Sequence, residues 1–536
     1  MTQGRSRSWW VFAQDLLNTA RSCMRADALP LAASAKAISM RLQWTLMLLV
    51  CAGMPSSSDA RAEVKLPSIY ADHMVLQRNL PVTVRGRADA DETVTVTFRS
   101  ETRSATPDQF GRWEVALPPG TAGGPFDMVI QGTNTIRLTD ILVGDVWLAS
   151  GQSNMESYTN NASNAAAELE AANLPNIRLF RVKVATSPYP LDDLSGRSWV
   201  ASTTETASEF SAVAFFFGKE IYADQKVPIG LIDSTYGGTA AEAWTSMRSL
   251  SGDASLMPVF ATWSRKMDLA ASVNVQKEFE DREKELAKTQ GKPEPIFRNH
   301  ADLVSRTSPA VLYNAMIAPL THFAIRGVIW YQGETNANVE EAPIYARLFQ
   351  TLIQGWRSDW GEGDFPFLYV QLANLNTNQG DGWPQLREAQ RKVLAIRNTG
   401  MAVTIDIGDP TNVHFKDKQD VGHRLALSAR AIAYDEPIEY SGPLFRMQAR
   451  EEHEMRLWFD HSSGLMAKGG PLVGFEIAGA DKKFVSADAR IDGQCVVVSS
   501  RDVLDPVTVR YAWKDNPDGN LYNQAGLPAS PFQSQE

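Results

Sequence analysis

Between residues 141 and 435 the chain alternates two kinds of apolar pattern. Residues 146–149, 227–232, 327–331, 366–371 and 401–407 are short apolar runs of strand length, rich in β-branched and aromatic side chains. Residues 212–223, 309–320, 345–356, 386–397 and 420–434 carry apolar positions at helical spacing. Strand and helix in strict alternation predict a parallel sheet with helices on both faces. The flanks read differently. Residues 82–85, 93–98 and 113–117 alternate with a period of two or are β-branched, and turn clusters such as Asp108-Gln109-Phe110-Gly111 separate them. Residues 455–459, 474–477, 495–498 and 507–511 have the same character. The pattern predicts an α/β body over 141–435, an N-terminal β-sandwich-like region over 63–140 and a C-terminal one over 436–536. Residues 252–305 interrupt the alternation. Within them, 276–289 read as a charged helix with Glu/Lys pairs at helical spacing, a solvated insertion near the mouth of the site.

The first 62 residues do not read as fold. Met40-Arg41 opens onto an apolar run over 42–52, and small and polar residues then lead to Ala60-Arg61-Ala62. A charged start, an apolar stretch and an Ala-x-Ala ending form an export signal, with Met40 as the functional start and cleavage after Ala62. The run is too short to span a bilayer comfortably. Val50 stands before Cys51 where a lipoprotein signal wants a small residue. Cleavage would also remove Cys23 and Cys51, leaving Cys495 alone, so an exported chain would be held by its core rather than by an internal disulfide. The expected compartment is the periplasm or the exterior, with no stable membrane insertion after cleavage.

The 536 residues carry 52 Lys and Arg against 62 Asp and Glu, a formal charge of −10. Seven of the basic and three of the acidic residues lie in the leader, so the remainder is more acidic still. This balance excludes a nucleic-acid-binding surface.

Chemistry concentrates where the predicted strands end. In an open parallel sheet, ligands gather beyond the carboxyl ends of the strands. Four loops fall there: 151–154, 234–239, 332–336 and 408–414. The run Val146-Trp147-Leu148-Ala149 stops at Ser150-Gly151-Gln152-Ser153-Asn154, a turn that presents Ser153 as a nucleophile. A hydroxyl needs a base. Of the seven histidines, His73, His453 and His461 lie in the β-regions, His300 in the insertion, His322 before a strand and His423 inside the last helix. His414 alone follows a strand's carboxyl end and is the candidate base. Asp409 is the candidate acid to orient the imidazole, with Asp406 as the alternative. For the oxyanion, the Ser153 amide, the close-approaching backbone at Gly237-Gly238 and the side-chain amides of Gln332 and Asn336 are candidates. Tyr158, Trp244, Tyr331 and Trp383 lie near these loops and are candidates to stack on a ligand ring. No His-x-x-x-His pair or Asp/His cluster has metal-ligand spacing, and no cofactor is expected.

Several segments together resemble the sialate O-acetylesterase family of SGNH (GDSL-like) hydrolases. They are IYADHMVLQR, LVGDVWLASGQSNM, GLIDSTYGGTAAEAW, LYNAMIAPLTHFAIRGVIWYQGETNA, DIGDPTNVHFKDKQDVGHRLALSARA and NLYNQAGLPASPF, and they span residues 69–532. The resemblance implies a flavodoxin-like α/β/α catalytic domain with β accessory regions. It implies metal-free hydrolysis of acetyl esters on sugars through an acetyl-serine. Ser153 would be the nucleophile and His414 the base, with Gly238 in one oxyanion or substrate loop and Gln332 and Asn336 in another. Relatives carry Asp-Ile-His-Pro where this chain has Asn412-Val413-His414-Phe415. The acid therefore falls to Asp409, or the site works as a Ser–His pair with a backbone carbonyl orienting the ring. The substrate is an acetylated sialic acid or, with the same mechanism, an acetylated plant hemicellulose such as xylan or xyloglucan. The non-enzyme alternative is a carbohydrate-binding protein with a dead site.

Overall fold

The structure is a computed structural model. It describes residues 63–195, 198–271, scattered positions between 277 and 288, 306–377 and 380–534. The leader expected over 1–62 and most of the charged helix expected over 276–289 lie outside the described residues.

The chain enters through β1 (Val75–Gln77), β2 (Val82–Arg87), β3 (Val94–Phe98), β4 (Glu101–Ala105), β5 (Arg112–Leu117) and β6 (Gly123–Gln131). It then runs into one long strand, β7 (Thr135–Gly151). After the turn at Ser153 come β8 (Leu174–Arg181), β9 (Val200–Ser202), β10 (Ile229–Thr235), β11 (Gly327–Tyr331), β12 (Phe367–Val370) and β13 (Thr399–Ala402). The helices that matter for the site are α1 (Ser153–Glu156), α2 (Ala212–Gln225), α3 (Met257–Ala271), α4 (Ala342–Trp360), α5 (Gly382–Val393) and α6 (Lys418–Ala433).

β7 belongs to two structures at once. Its first part pairs antiparallel with β6 and, beside β1, parallel. Its last seven residues pair with β10, and the last five of these also with β11 on the other side, both parallel to it. The sheet order is β13-β12-β11-β7-β10-β8-β9, and only the edge strand β9 runs antiparallel. Every residue from Ile141 to Gly151 is buried, as a parallel strand covered on both faces requires. The strand runs from residue 135 to 151 without a linker, so the N-terminal β-region is continuous with the central sheet.

The connections reverse direction at β7. From β8 the chain crosses by α2 to β10, next to β7, and afterwards it steps outward from β11 through α4 to β12 and through α5 to β13. Right-handed crossovers in opposite senses put α2 and α4 on opposite faces. α6 returns to pack on α2, and α4 packs on α5. The crevice that such a reversal opens lies at the carboxyl end of β7.

Two buried charges lock the additions onto this sheet. Asp145, inside β7, accepts from Arg78 Nε and Nη2 at 2.8 Å each and from the Tyr434 hydroxyl at 3.0 Å. The β1–β2 turn and the end of α6 are thereby tied to one carboxylate. Arg387, on α5, is fully buried, and burial pulls its pKa down to about 9. It donates to the carbonyls of Leu372 and Ala373 after β12 and of Lys514 and Asp515 in the C-terminal region, at 2.7–2.8 Å. That region is built of antiparallel sheets. One runs in the order Leu444–Glu451, Glu454–Asp460, Cys495–Ser499, Asp488–Asp492, and another contains Phe475–Ala478 and Thr508–Tyr511.

The expected elements differ from the observed ones in three places. The helix read over 309–320 is helical over 311–320 but irregular, a wide turn at Tyr313–Ile317 running into a tight one at Ala318–Leu320. Pro319 lacks an N–H and cannot continue a regular ladder. The helix read over 386–397 begins at Gly382, with Pro384 tolerated in its first turn. The strand read over 401–407 ends at Ala402. The Thr404 hydroxyl donates to the Gln371 carbonyl at 2.6 Å, and Arg424 draws Asp406 aside, so the chain leaves the sheet.

Replacing Arg387 with Met would take the Arg387 donor from the Leu372 and Lys514 carbonyls, while Ala373 and Asp515 keep the Trp383 indole and the Leu375 amide. Each buried orphan costs about 1–3 kcal/mol, so Arg387→Met should destabilise the protein by about 2 kcal/mol or more in urea unfolding.

Candidate active site

β7 ends at Gly151, whose φ is +133° and whose absent Cβ would collide with the Tyr331 carbonyl. Only glycine can make this turn. Gln152 is extended, and α1 starts at Ser153. The amides of Ser153 and Asn154 open the helix and have no carbonyl behind them to bond. The Ser153 side chain is half-buried at the crevice.

His414 comes from the far side. β13 is three strand spacings from β7, about 14 Å. The loop 403–417 must reach back across that distance. It does so under three constraints. Asn412 accepts from the His414 amide and donates to the His414 carbonyl, both at 3.0 Å. Asn154 Nδ2 donates to the Val413 carbonyl at 3.0 Å. The Ser163 amide donates to the Lys416 carbonyl at 2.8 Å. With the loop so held, His414 Nε2 lies 2.8 Å from Ser153 Oγ. The sequence-predicted nucleophile and base are thus brought together.

The predicted acids are not. Asp409 Oδ1 accepts from the Thr411 amide and hydroxyl at 2.8 Å and from the Asn412 amide at 3.2 Å. Those bonds hold its carboxyl below the usual range and occupy it within its own turn. Asp406 pairs bidentately with Arg424 at 2.6 and 2.8 Å and accepts from Tyr522. Among the described residues no carboxylate hydrogen-bonds His414. The neighbouring charge is a cation instead. Burial, and then the Lys418 ammonium, push the His414 pKa below its usual value.

Lys418 is the first residue of α6 and is almost fully buried. Its Nζ donates to Asn154 Oδ1 at 2.6 Å and lies 4.0 Å from the Phe415 ring centroid. Burial brings its pKa down to about 7. Glu334 accepts from Asn154 Nδ2 at 2.6 Å, and burial raises its pKa. The pattern search missed Asn154, Glu334 and Lys418. One signal was available: a lysine at the first position of a helix stands at the wrong end of the dipole.

The other candidates divide. Gln332 donates to the Thr239 carbonyl and to Asn336 Oδ1 and accepts from the Tyr345 hydroxyl. Asn336 accepts from the Ala241 amide and donates to Glu242 and Glu341. Both are fully buried, so their amides brace the loops after β10 and β11 rather than face Ser153. They fix the turn at Gly237-Gly238. Gly238 has φ +68°, but the close approach is at Gly237, where a Cβ would stand 3.2 Å from Ser153 Cβ. The Gly237 amide donates to Glu156 Oε2 at 2.7 Å. Trp244, Tyr331 and Trp383 are core residues. Tyr158 is half-buried, with its hydroxyl accepting from Arg181 and the Arg181 guanidinium 4.6 Å from its ring centroid. Among the described residues no three His, Cys, Asp or Glu side chains converge to hold a metal ion.

Known proteins are similar to this chain. Residues 301–431 match a family model described as carbohydrate esterase, sialic acid-specific acetylesterase, a span that includes Gln332, Asn336 and His414. Sialate O-acetylesterase of Rattus norvegicus is 32% identical over 92% of this chain and 98% of its own length. That of Mus musculus is 33% identical over 91% of this chain and 97% of its own. The crystal structure of a carbohydrate acetylesterase from Xanthomonas citri is 40% identical with a TM-score of 0.76, over 88% of this chain and all of that one.

Two outcomes follow from the geometry. Since Asp409 does not touch the imidazole, Asp409→Asn should keep kcat/KM within about threefold of wild type, where removing a true triad acid costs about 10⁴. Since only neutral imidazole accepts the serine proton, and its pKa is lowered, activity should hold as pH falls through about 6.5 and decline only below it. A pH–rate profile whose acid limb lies above 6.5 would contradict the assigned electrostatics.

Proposed function

The chain belongs to the sialate O-acetylesterase family and is a carbohydrate O-acetylesterase, and from that premise we propose that it acts through an acetyl-serine on Ser153 with His414 as the only general base. One observation carries this reading: Ser153 Oγ and His414 Nε2 lie at 2.8 Å on a turn the sheet exposes at its reversal point.

His414 takes the hydroxyl proton as Ser153 Oγ attacks the acetyl carbonyl. The carbonyl oxygen becomes an oxyanion, and the amide opening α1 at Ser153, with the Gly238 amide, supplies donors to it, the Gly237 amide being held by Glu156. As the tetrahedral intermediate collapses, the imidazolium gives its proton to the departing sugar oxygen. Water then enters, His414 takes its proton, and acetate leaves as Ser153 is restored. Asn412 and Asn154 place the loop that carries His414.

The fold reading is an SGNH-type α/β/α hydrolase body over 141–435, with β accessory regions over 63–140 and 436–536. The similarity to the Xanthomonas citri structure supports it at the level of an α/β fold. Export is proposed on the leader alone. Among the described residues no helix is long and apolar enough to cross a membrane.

The test is acetate release from an aryl acetate and from O-acetylated sugars. Ser153→Ala and His414→Ala should each lose about a thousandfold or more in kcat. Wild-type rates in Ser153→Ala would end the acetyl-serine reading. A wild type inert on every ester would favour a binding protein.

A further inference from the structure

Where the C-terminal β-region meets α4 and α5, the junction is not filled. A cavity of about 600 Å³ remains there, and it shares no lining residue with the crevice at Ser153. Its lining includes small side chains, Ala342 and Ala346 one turn apart on α4 and Ala389 on α5. Two aromatic rings also line it, Phe484 and Trp513. Arg510, held by Glu476 at 2.6 Å, lies 4.1 Å from the Phe484 ring centroid, so one face of that ring is taken. Trp513 is half-buried, and among the described residues nothing stacks on its indole and its Nε1 has no hydrogen-bond partner. Its backbone is fixed all the same. The next two carbonyls, of Lys514 and Asp515, accept from Arg387, and the Leu375 amide donates to that of Asp515 at 3.2 Å. Leu375 follows β12, so Trp513 stands toward the carboxyl end of the sheet, as Ser153 does. The carboxamides of Gln385 and Gln533 line the cavity too, and neither has a side-chain partner among the described residues.

We propose that this cavity is a second, non-catalytic site for neutral pyranose residues of a glycan chain, which holds the chain while acetyl groups elsewhere on it are hydrolysed. The inference goes beyond the acetyl-serine reading and does not depend on which residue is the nucleophile. A pyranose ring has an apolar C–H face and a rim of hydroxyls. The indole offers a flat apolar surface, and each carboxamide offers both donors and an acceptor to the rim. The volume falls within the roughly 300–1,000 Å³ of small-ligand clefts. An apolar ligand would leave the indole N–H and both carboxamides unpaired. An anion is not selected either. The lining carboxylate, Glu388, is already paired with Arg391 at 2.7 and 2.8 Å, and the ammoniums of Lys392 and Lys482 are exposed, where water screens them. A chain held at this site stays at a high effective concentration around the crevice.

The probes are unacetylated xylohexaose and cellohexaose, neutral chains of all-equatorial rings with no ester to hydrolyse, titrated calorimetrically into the full protein. At least one should bind in the millimolar range or tighter. Trp513→Ala should weaken that binding about tenfold or more, and Gln385→Ala about threefold. Trp513→Phe, which keeps an aromatic face, should retain most of it. The hexamer should leave KM for an aryl acetate unchanged, and Trp513→Ala should turn that small ester over at the wild-type rate. On the chemically acetylated hexamer, Trp513→Ala should raise KM and leave kcat alone. Absence of binding by both hexamers would overturn the proposal, as would undiminished binding in Trp513→Ala. So would competitive inhibition of aryl acetate hydrolysis with a constant equal to the measured Kd, which would put the hexamer in the crevice alone. Should Trp513→Ala not fold, Gln385→Ala decides, and wild-type affinity there overturns the site. Ser153→Ala should bind the hexamers as the wild type does, so failure of the acetyl-serine reading would leave this result standing.

Discussion

The Asn154 carboxamide joins the two halves of the site. Its Nδ2 donates to Glu334 and to the Val413 carbonyl, and its Oδ1 accepts from Lys418. Asn154 follows Ser153, the proposed nucleophile, and Val413 precedes His414, the proposed base. One planar group therefore sets the distance between them. An amide suits this position because it offers donors and an acceptor together, where a carboxylate offers only acceptors. The need is topological. Ser153 follows the central strand and His414 lies in the loop after an edge strand three spacings away, so nothing in the sheet ladder itself fixes their separation. A clasp formed outside the sheet must do it.

The clasp brings an ammonium close to the imidazole. In a Ser–His–Asp triad the charge behind the histidine is negative and stabilises the imidazolium. Here the neighbouring charge is positive, and the carboxylate that answers it, Glu334, lies across Asn154 from it. Burial drives both members of this pair toward their neutral forms, Lys418 downward and Glu334 upward, while their mutual attraction opposes that drive. The pair costs less buried as it stands than either group would alone. Its orientation toward Asn154 turns that cost into rigidity at the site.

Much of this was legible in the sequence. The alternating α/β pattern, the turn at Ser153 and the placement of His414 depend on local signals: period, turn residues and the order of elements. Strand 327–331 was read to its exact residues for that reason. What was not legible depends on contacts distant in the chain. Asp409 looked like an acid because it precedes the histidine, but an Asp followed two and three residues later by free amides caps its own turn first. Gln332 and Asn336 looked like oxyanion donors because amides near a site suggest that role. Burial decides otherwise, and burial is set by Tyr345, Glu242 and Glu341 on other segments. The close approach at Gly237 rather than Gly238 differs by one residue, which composition cannot resolve.

A site without the third carboxylate is not simply a weaker triad. The acid normally does two things: it orients the ring and it stabilises the imidazolium. The loop is placed here by backbone bonds, from Asn412 to both the amide and the carbonyl of His414 and from Asn154 to Val413, and among the described residues the imidazole itself bonds only Ser153. Stabilisation is not supplied, and Lys418 opposes it. A lowered imidazole pKa makes His414 a poorer base toward the serine and a better acid toward the leaving oxygen. Which side of that exchange matters depends on the ester. An aryl oxide departs without help, so only the weaker base is felt. A sugar alkoxide is a far poorer leaving group and needs its proton as the C–O bond breaks, so the stronger acid is felt. An imidazole tuned downward by burial, and further by a cation, therefore suits alkyl acetates on sugars better than activated aryl acetates, and the residue that clasps the loop adds to that preference.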